Sequence, residues 1–235
     1  MELCSGYSDS GILDKVRQSA GKVRDNEAAY ERDSVLFPAV HYSLPLLSFL
    51  LYAASRSGNQ LNLIDFGGAL GSTFYQNKKF IKHLEVLNWN IIEQEHFVVT
   101  GRKEFQTKSL KFFFTMEESL SQCKSEILLL SSVLPYIADP YQLLRNAMLL
   151  KFRFVIIDRT PFLSADFPDR LTIETVPPII YKAKYPAWFL NKNKFLDFMQ
   201  VEYELFQEFE SWESWDLADT KAQSMAFLFI RKSND

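Results

Sequence analysis

The chain has 235 residues, 47% hydrophobic and 23% charged, with a formal net charge of −3 at pH 7. That composition supports a substantial core and excludes a disordered polyelectrolyte. The slightly acidic balance excludes a global basic field for nucleic acid, and Cys4 and Cys123 form no CxxC or Cys/His cluster that would hold zinc, so no metal is expected.

Met1 to Ser10 lacks a basic segment followed by an apolar one, so it does not read as a signal peptide. Gly11–Gln18 and Asn26–Asp33 are helix-compatible. Leu36 to Ser55 is an apolar helix, restarted at Pro45, where proline fits a first turn. Its longest apolar run, Leu44 to Ala54, is too short to cross a bilayer. No membrane span is predicted, and the reduced cytoplasm is the simplest setting for two unpaired cysteines.

From Leu61 the pattern alternates. Short apolar runs at Leu61–Phe66, Trp89–Ile92, Leu110–Phe114, Ile127–Ser131 and Phe152–Ile157 read as strands buried on both faces. Ser72–Leu84, Met116–Gln122 and Pro140–Leu150 read as helices between them, and Phe97–Phe105 as a helix or loop. Such alternation predicts an α/β fold with parallel strands and right-handed crossovers. Asp158 to Trp188 reads as a long irregular segment, followed by a helix at Asn193–Met199. Tyr203–Phe209 and Met225–Arg231 read as a final strand pair.

The first strand ends in Asp65-Phe66-Gly67-Gly68-Ala69-Leu70-Gly71, and a helix follows at Ser72. Glycines at this bend let a ligand approach the backbone, and the helix start presents free N–H groups to an anion. The dinucleotide fingerprint G-x-G-x-x-G fails, because Ala69 and Ser72 occupy its second and third glycine positions. An acidic-x-G-x-G-x-G pattern matches at Asp65, Gly67 and Gly71, with Ala69 in place of the middle glycine, tolerable if Ala69 has a negative φ. Glu93 closes the second strand at the offset where a carboxylate reaches a ribose diol, and Gln94 stands beside it.

Asp65 to Gly71, Trp89 to Gln94 with Phe97-Val98, and Ser131-Ser132-Val133-Leu134-Pro135-Tyr136-Ile137 resemble the class I S-adenosylmethionine-dependent methyltransferases. More narrowly, with Asp158-Arg159-Thr160-Pro161, Val176-Pro177-Pro178 and Tyr185-Pro186, they resemble a bacterial family of methyltransferases associated with surface-polysaccharide gene clusters. The resemblance covers residue 30 onward. It implies a Rossmann-like, mostly parallel seven-stranded sheet with an antiparallel C-terminal strand and helices on both faces. Residues 1–57 would be a helical extension covering the active site, and residues 58–235 the methyltransferase-like domain.

The resemblance further implies S-adenosylmethionine as cofactor, held by Asp65, Gly67, Gly68, Ala69, Gly71, Glu93, Gln94, Ser131 and Ser132. Asp158, Arg159 and Tyr136 are the candidates for chemistry: Asp158 as base or substrate ligand, Arg159 as the fork for an acceptor carboxylate or phosphate. The acceptor would be a small molecule or glycan precursor. A binding or scaffold module with the same fold is the alternative, motivated by Ala69 and the lack of a clear general base.

Overall fold

A computed structural model describes residues 10–175 and 184–233. The described residues group into two compact units, one running to Ser125, the other formed by Glu126–Glu174 and Pro186 onward. The Val176-Pro177-Pro178 motif, Met1 to Ser10's leader and Cys4 lie wholly or mostly outside the described residues.

In the first unit the N-terminal helix α1 spans Ser10–Arg24, longer than the sequence pattern suggested. The expected helix over residues 26–33 is instead a hairpin, β1 (Tyr30–Arg32) and β2 (Val35–Phe37), paired antiparallel. Asp33 and Ser34 form its two-residue loop with φ of 52° and 66°. Positive φ at both loop positions suits the twist of a tight hairpin, and short polar side chains tolerate it better than branched ones. The N-terminal extension is therefore not purely helical. Helix α2 spans Leu44–Arg56 rather than starting at Leu36, because Ser43 accepts the Leu46 N–H as a cap and Pro45 falls in the first turn.

Strand β3 (Gln60–Phe66) then pairs in parallel with β4 (Val86–Ile92), and β4 with β5 (Leu110–Phe113). Leu61, Leu63, Ile64, Trp89, Ile91 and Leu110 are all inaccessible, which explains why these strands read as unbroken apolar runs. Helix α3 spans Ser72–Ile81 and α5 spans Met116–Gln122. Between β4 and β5, helix α4 (Glu95–Thr100) runs directly into a π-helical turn, Gly101–Phe105.

In the second unit β6 (Ile127–Ser131) pairs in parallel with β7 (Phe154–Leu163), with Ser131 opposite Asp158. Helix α6 (Pro140–Leu149) connects them, capped by Asp139. The segment read as irregular is largely strand. Strand β7 continues to Leu163, and β8 (Arg170–Thr175) and β9 (Lys184–Asn191) follow. After helix α7 (Lys192–Met199), β10 (Tyr203–Asp216) pairs antiparallel with β11 (Lys221–Arg231), and β11 pairs antiparallel with β7. The parallel strands with an antiparallel C-terminal strand are those the pattern implied, with β8 and β9 added.

Tyr203 anchors the start of β10. It is fully buried, and its hydroxyl donates to the Phe152 carbonyl at 3.0 Å. Burial pushes its pKa up to about 12, so it remains a donor at physiological pH. Tyr203→Phe removes that donor and leaves a buried carbonyl unpaired, so urea denaturation should show a loss of about 1–2 kcal/mol. An unchanged midpoint would mean the bond contributes nothing.

Candidate functional site

The bend after β3 is a chain of left-handed residues. Gly67, Ala69 and Gly71 have φ of 74°, 48° and 99°. The β3–β4 ladder reaches into it, since the Gly67 N–H donates to the Ile92 carbonyl at 2.9 Å. The Tyr75 N–H donates to the Gly71 carbonyl at 2.9 Å, which starts α3 immediately after the bend. Ala69 does not have the negative φ that would make its methyl group harmless. A left-handed alanine costs about 1 kcal/mol, so the bend holds local strain.

Asp65 does not face open space. It is 1% exposed, and its Oδ2 accepts the Trp89 indole N–H at 2.9 Å. A Cβ at Gly68 would stand 2.5 Å from the same oxygen. Gly68 is therefore required by the protein's own carboxylate, which fills the space beneath the bend.

Glu93 lies just past β4 and is partly buried. Its Oε1 accepts the Ala69 N–H at 3.2 Å and its Oε2 the Gln94 N–H at 2.9 Å. The acid at the second strand end thus meets the bend at the end of the first. Desolvation raises its pKa above the usual glutamate value, partly offset by those two N–H groups. Gln94 itself is exposed. Sequence reasoning missed a further carboxylate here. Glu31 of β1 is 3% exposed and accepts hydrogen bonds from the Ser72 hydroxyl, at the first residue of α3, and from the Ser34 N–H at 3.2 Å. No spacing rule ties residue 31 to residue 72; only the hairpin brings them together.

A second group of predicted residues stands in the second unit, at the carboxyl end of β6 and midway along β7. The Ser131 hydroxyl donates to Asp158 Oδ2 at 2.8 Å, and the Ser132 N–H donates to the Asp158 carbonyl at 2.9 Å. Asp158 is fully buried, and the Arg159 Nε lies 3.5 Å from its Oδ2. Ser132 and Arg159 both have positive φ, 56° and 48°. The cause at Arg159 is a β-bulge. Thr160 pairs with Met225 and Ile157 with Phe227, so Asp158 and Arg159 together oppose Ala226. The Tyr136 hydroxyl donates to Glu174 Oε2 at 3.1 Å.

No protein-family model matches the chain, nor does any curated protein sequence. Solved structures do resemble it. The N-terminal domain of EvdMO1 with SAH bound superposes with a TM-score of 0.57 at 11% identity, over 92% of this chain and 97% of that one. The same domain in the presence of SAH and D-fucose gives 0.54 at 11% identity, over 95% and 100%. An S-adenosylmethionine-dependent methyltransferase from Clostridium acetobutylicum ATCC 824 gives 0.52 at 8% identity, over 82% and 93%. The chain has the class I methyltransferase fold. At such identities the likeness concerns the fold alone. In open α/β sheets ligands bind beyond the carboxyl ends of the parallel strands, where the bend after β3, Glu93 and Ser131 stand, while Asp158 and Arg159 lie midway along β7. No described helix is long and apolar enough to cross a membrane, and no described His, Cys, Asp and Glu group could hold a metal ion.

Two outcomes follow for the first unit. Ala69→Gly should relieve the left-handed strain and raise stability by up to about 1 kcal/mol in thermal unfolding, less whatever glycine adds to the unfolded chain's entropy. A loss of stability would mean the alanine methyl packs usefully. Glu93 has a raised folded pKa, so its contribution is fully present below the unfolded value near 4.5 and is lost as pH rises through the folded one. The stability of the wild type relative to Glu93→Gln should therefore decline as pH rises from about 4 towards neutrality. A difference that grows with pH would reverse that sign.

Proposed function

We propose that this protein binds S-adenosylmethionine at the bend after β3 and transfers its methyl group to a small-molecule or glycan acceptor. The observation that carries the reading is Glu93. It is a partly buried carboxylate at a strand end, set against a strained bend and bonded to the Ala69 N–H. A carboxylate there can accept two hydroxyl hydrogen bonds, which suits a ribose diol. The amino end of α3 offers N–H groups and a partial positive charge to the methionine carboxylate. Gly67, Ala69 and Gly71 are assigned to the left-handed bend that would present its backbone to that group, Gly68 to leaving room for Asp65 beneath it, and Gln94 adds an exposed amide. Asp65, held by Trp89, is assigned the support of the bend, with any contact to the cofactor's ammonium passing through its immediate surroundings.

The cofactor supplies a methyl group already activated by a positive sulfur. The chain's task is then alignment and exclusion of water. The segment before β3 is assigned the cover over the bend, anchored where Glu31 meets Ser72. In the second unit, Ser131 and Ser132 are assigned to the cofactor and Arg159 to an anionic group on the acceptor, since its planar fork suits carboxylate or phosphate. Tyr136 is assigned to the acceptor side with Glu174 as its partner. Asp158, buried and bonded to Ser131, positions its neighbours and is a base only if the acceptor displaces those bonds.

That engagement of Asp158 favours a second reading, in which the fold binds the cofactor without turnover. A glycan precursor is the acceptor class we favour. The EvdMO1 domain was crystallised with D-fucose, and the sequence resembles methyltransferases associated with surface-polysaccharide gene clusters.

Calorimetric titration with S-adenosylmethionine and S-adenosylhomocysteine tests the reading, and binding of neither would remove it. Glu93→Ala should weaken the affinity by about 1–3 kcal/mol, the effect of leaving buried polar groups unpaired. Unchanged affinity in a folded variant would clear Glu93 of the role. Mass spectrometry of sugar acceptors incubated with enzyme and cofactor separates turnover from binding alone.

A further inference from the structure

At the amino ends of β6 and β7, opposite to the end that carries Ser131, the second unit gathers cations. Lys151 follows α6, Arg153 precedes β7, Arg231 ends β11 and Lys232 follows it. Together with Ser233 they line an open cavity of about 430 Å³. That volume falls within the range of small-molecule sites, about 300–1,000 Å³. Four cations around one cavity are unexpected in a chain whose formal net charge is −3. The stretch of β7 from Phe154 to Arg159 is roughly 16 Å long at the usual rise per residue, so the cavity is separate from the groups given cofactor and acceptor roles.

The backbone carrying these cations is tied down. The Arg153 and Phe154 N–H groups both donate to the Glu126 carbonyl, at 2.9 and 3.0 Å. The Arg231 N–H donates to the Arg153 carbonyl at 2.9 Å, which sets the two arginines on neighbouring strand ends. The Lys232 N–H donates to the Glu202 carbonyl at 3.0 Å, and the Tyr203 hydroxyl holds the Phe152 carbonyl between Lys151 and Arg153. Two side chains are guided as well. The Arg153 guanidinium lies 4.9 Å from the centroid of the Phe154 ring, and Lys232 Nζ donates to the Gln200 carbonyl at 2.6 Å. Lys151 has a φ of 63°, a left-handed position that glycine would fill with less strain. Charges held in place beforehand lose less freedom when a ligand arrives.

Nearby carboxylates do not close the arginine forks. Glu126 Oε2 lies 3.9 Å from Arg153 Nη1, and Glu202 Oε2 lies 3.9 Å from Arg231 Nη2. Elsewhere in the same unit Arg170 shows a closed fork, its Nη1 and Nη2 donating to the two oxygens of Asp219 at 2.6 and 2.9 Å. Among the described residues Lys151 takes part in no ion pair. Positive charge therefore remains in excess for a ligand bearing several anionic oxygens. A guanidinium fork matches a phosphate group, and a lysine beside it supplies a point charge. Two forks on neighbouring strand ends, roughly 4.8 Å apart at the backbone, suit two linked phosphates better than one. Confinement of the cations to one cavity, with no basic stripe beyond it, favours a small molecule over a nucleic acid.

We propose that this cavity binds the pyrophosphate group of a small molecule, with Arg153 and Arg231 as its forks and Lys151 and Lys232 as flanking charges. It is a second ligand site, and it stands whether or not the bend after β3 holds S-adenosylmethionine.

Calorimetric titration of inorganic pyrophosphate into the full chain at low ionic strength tests it. One pyrophosphate should bind per chain, and inorganic phosphate should bind about tenfold more weakly or less. Arg153→Gln and Arg231→Gln should each weaken pyrophosphate binding roughly tenfold or more, the effect of losing a charge-assisted contact. Lys151→Gln, at an exposed side chain, should weaken it about threefold or more, and keeps the test open should an arginine variant fail to fold by circular dichroism. Lys78→Gln combined with Lys79→Gln removes two exposed charges of α3 that do not line the cavity, and should leave binding within about twofold of the wild type. A wild type that binds no pyrophosphate at millimolar concentration overturns the site. So do Arg153→Gln, Arg231→Gln and Lys151→Gln variants that bind like the wild type, or a Lys78 and Lys79 variant that loses as much as they do, which marks diffuse attraction. A single-stranded DNA oligomer that binds more tightly than pyrophosphate, and is lost in the same arginine variants, overturns the small-molecule reading in favour of a nucleic acid.

Discussion

The contact between Glu93 and the Ala69 N–H is the constraint on which the candidate site depends. Two adjacent parallel strands end together, and the carboxylate of one meets the backbone of the bend that leaves the other. The bond does two things at once. It partly offsets the burial of a charge, and it takes up an N–H that the left-handed conformation of Ala69 presents at the bend. A ligand offering hydroxyls would compete for the same oxygens, so the contact is both a support of the free bend and a preformed acceptor. The raised pKa of Glu93 expresses the same balance, because burial has not been fully compensated by the two N–H groups that reach it.

Backbone strain is distributed along the chain in an informative way. Asn26, Asp33, Ser34 and Asn59 have positive φ in polar turns, where short side chains accept it. Lys151 has it just past the end of α6, Ala69 and Ser132 have it just past β3 and β6, and Arg159 has it inside β7. In the second unit the cause is visible. Strand β7 pairs with β6 up to Asp158 and with β9 from Phe162, and the bulge lies between those two partnerships. The extra residue lets β7 change partners while β11 runs along its other side. It also turns Arg159 out of the ladder while Asp158 stays buried against Ser131. One backbone irregularity therefore gives two neighbouring residues opposite environments.

The core strands were legible because burial on both faces leaves an apolar run no alternative. Ile127–Ser131 and Met116–Gln122 match their predicted bounds, and β3, β4 and β5 differ only at their ends. Three things were not legible. The hairpin over Tyr30–Phe37 is too short for periodicity to separate it from a helix, and its loop residues Asp33 and Ser34 are common in both settings. The strands after Asp158 carry Pro161 and Pro186, which on a single sequence read as breakers. The sign of φ at Ala69 is invisible in a residue type that ordinarily avoids the left-handed region. Of the site residues, those on one strand end were readable by offset. The contacts around them, Trp89 to Asp65 and Ser72 to Glu31, join residues with no sequence relation.

The two successive positions Gly68 and Ala69 show why a glycine pattern is a poor proxy for a ligand. Gly68 lacks a side chain because Asp65 occupies the volume a Cβ would need, and Asp65 is there because Trp89 supplies it a buried donor. That glycine would be needed with no ligand at all. Ala69, where glycine would be conformationally easier, keeps a methyl group at some strain. What distinguishes Ala69 is the carboxylate opposite its N–H. What marks a binding bend here is therefore less its glycines than the acid brought to it from the neighbouring strand.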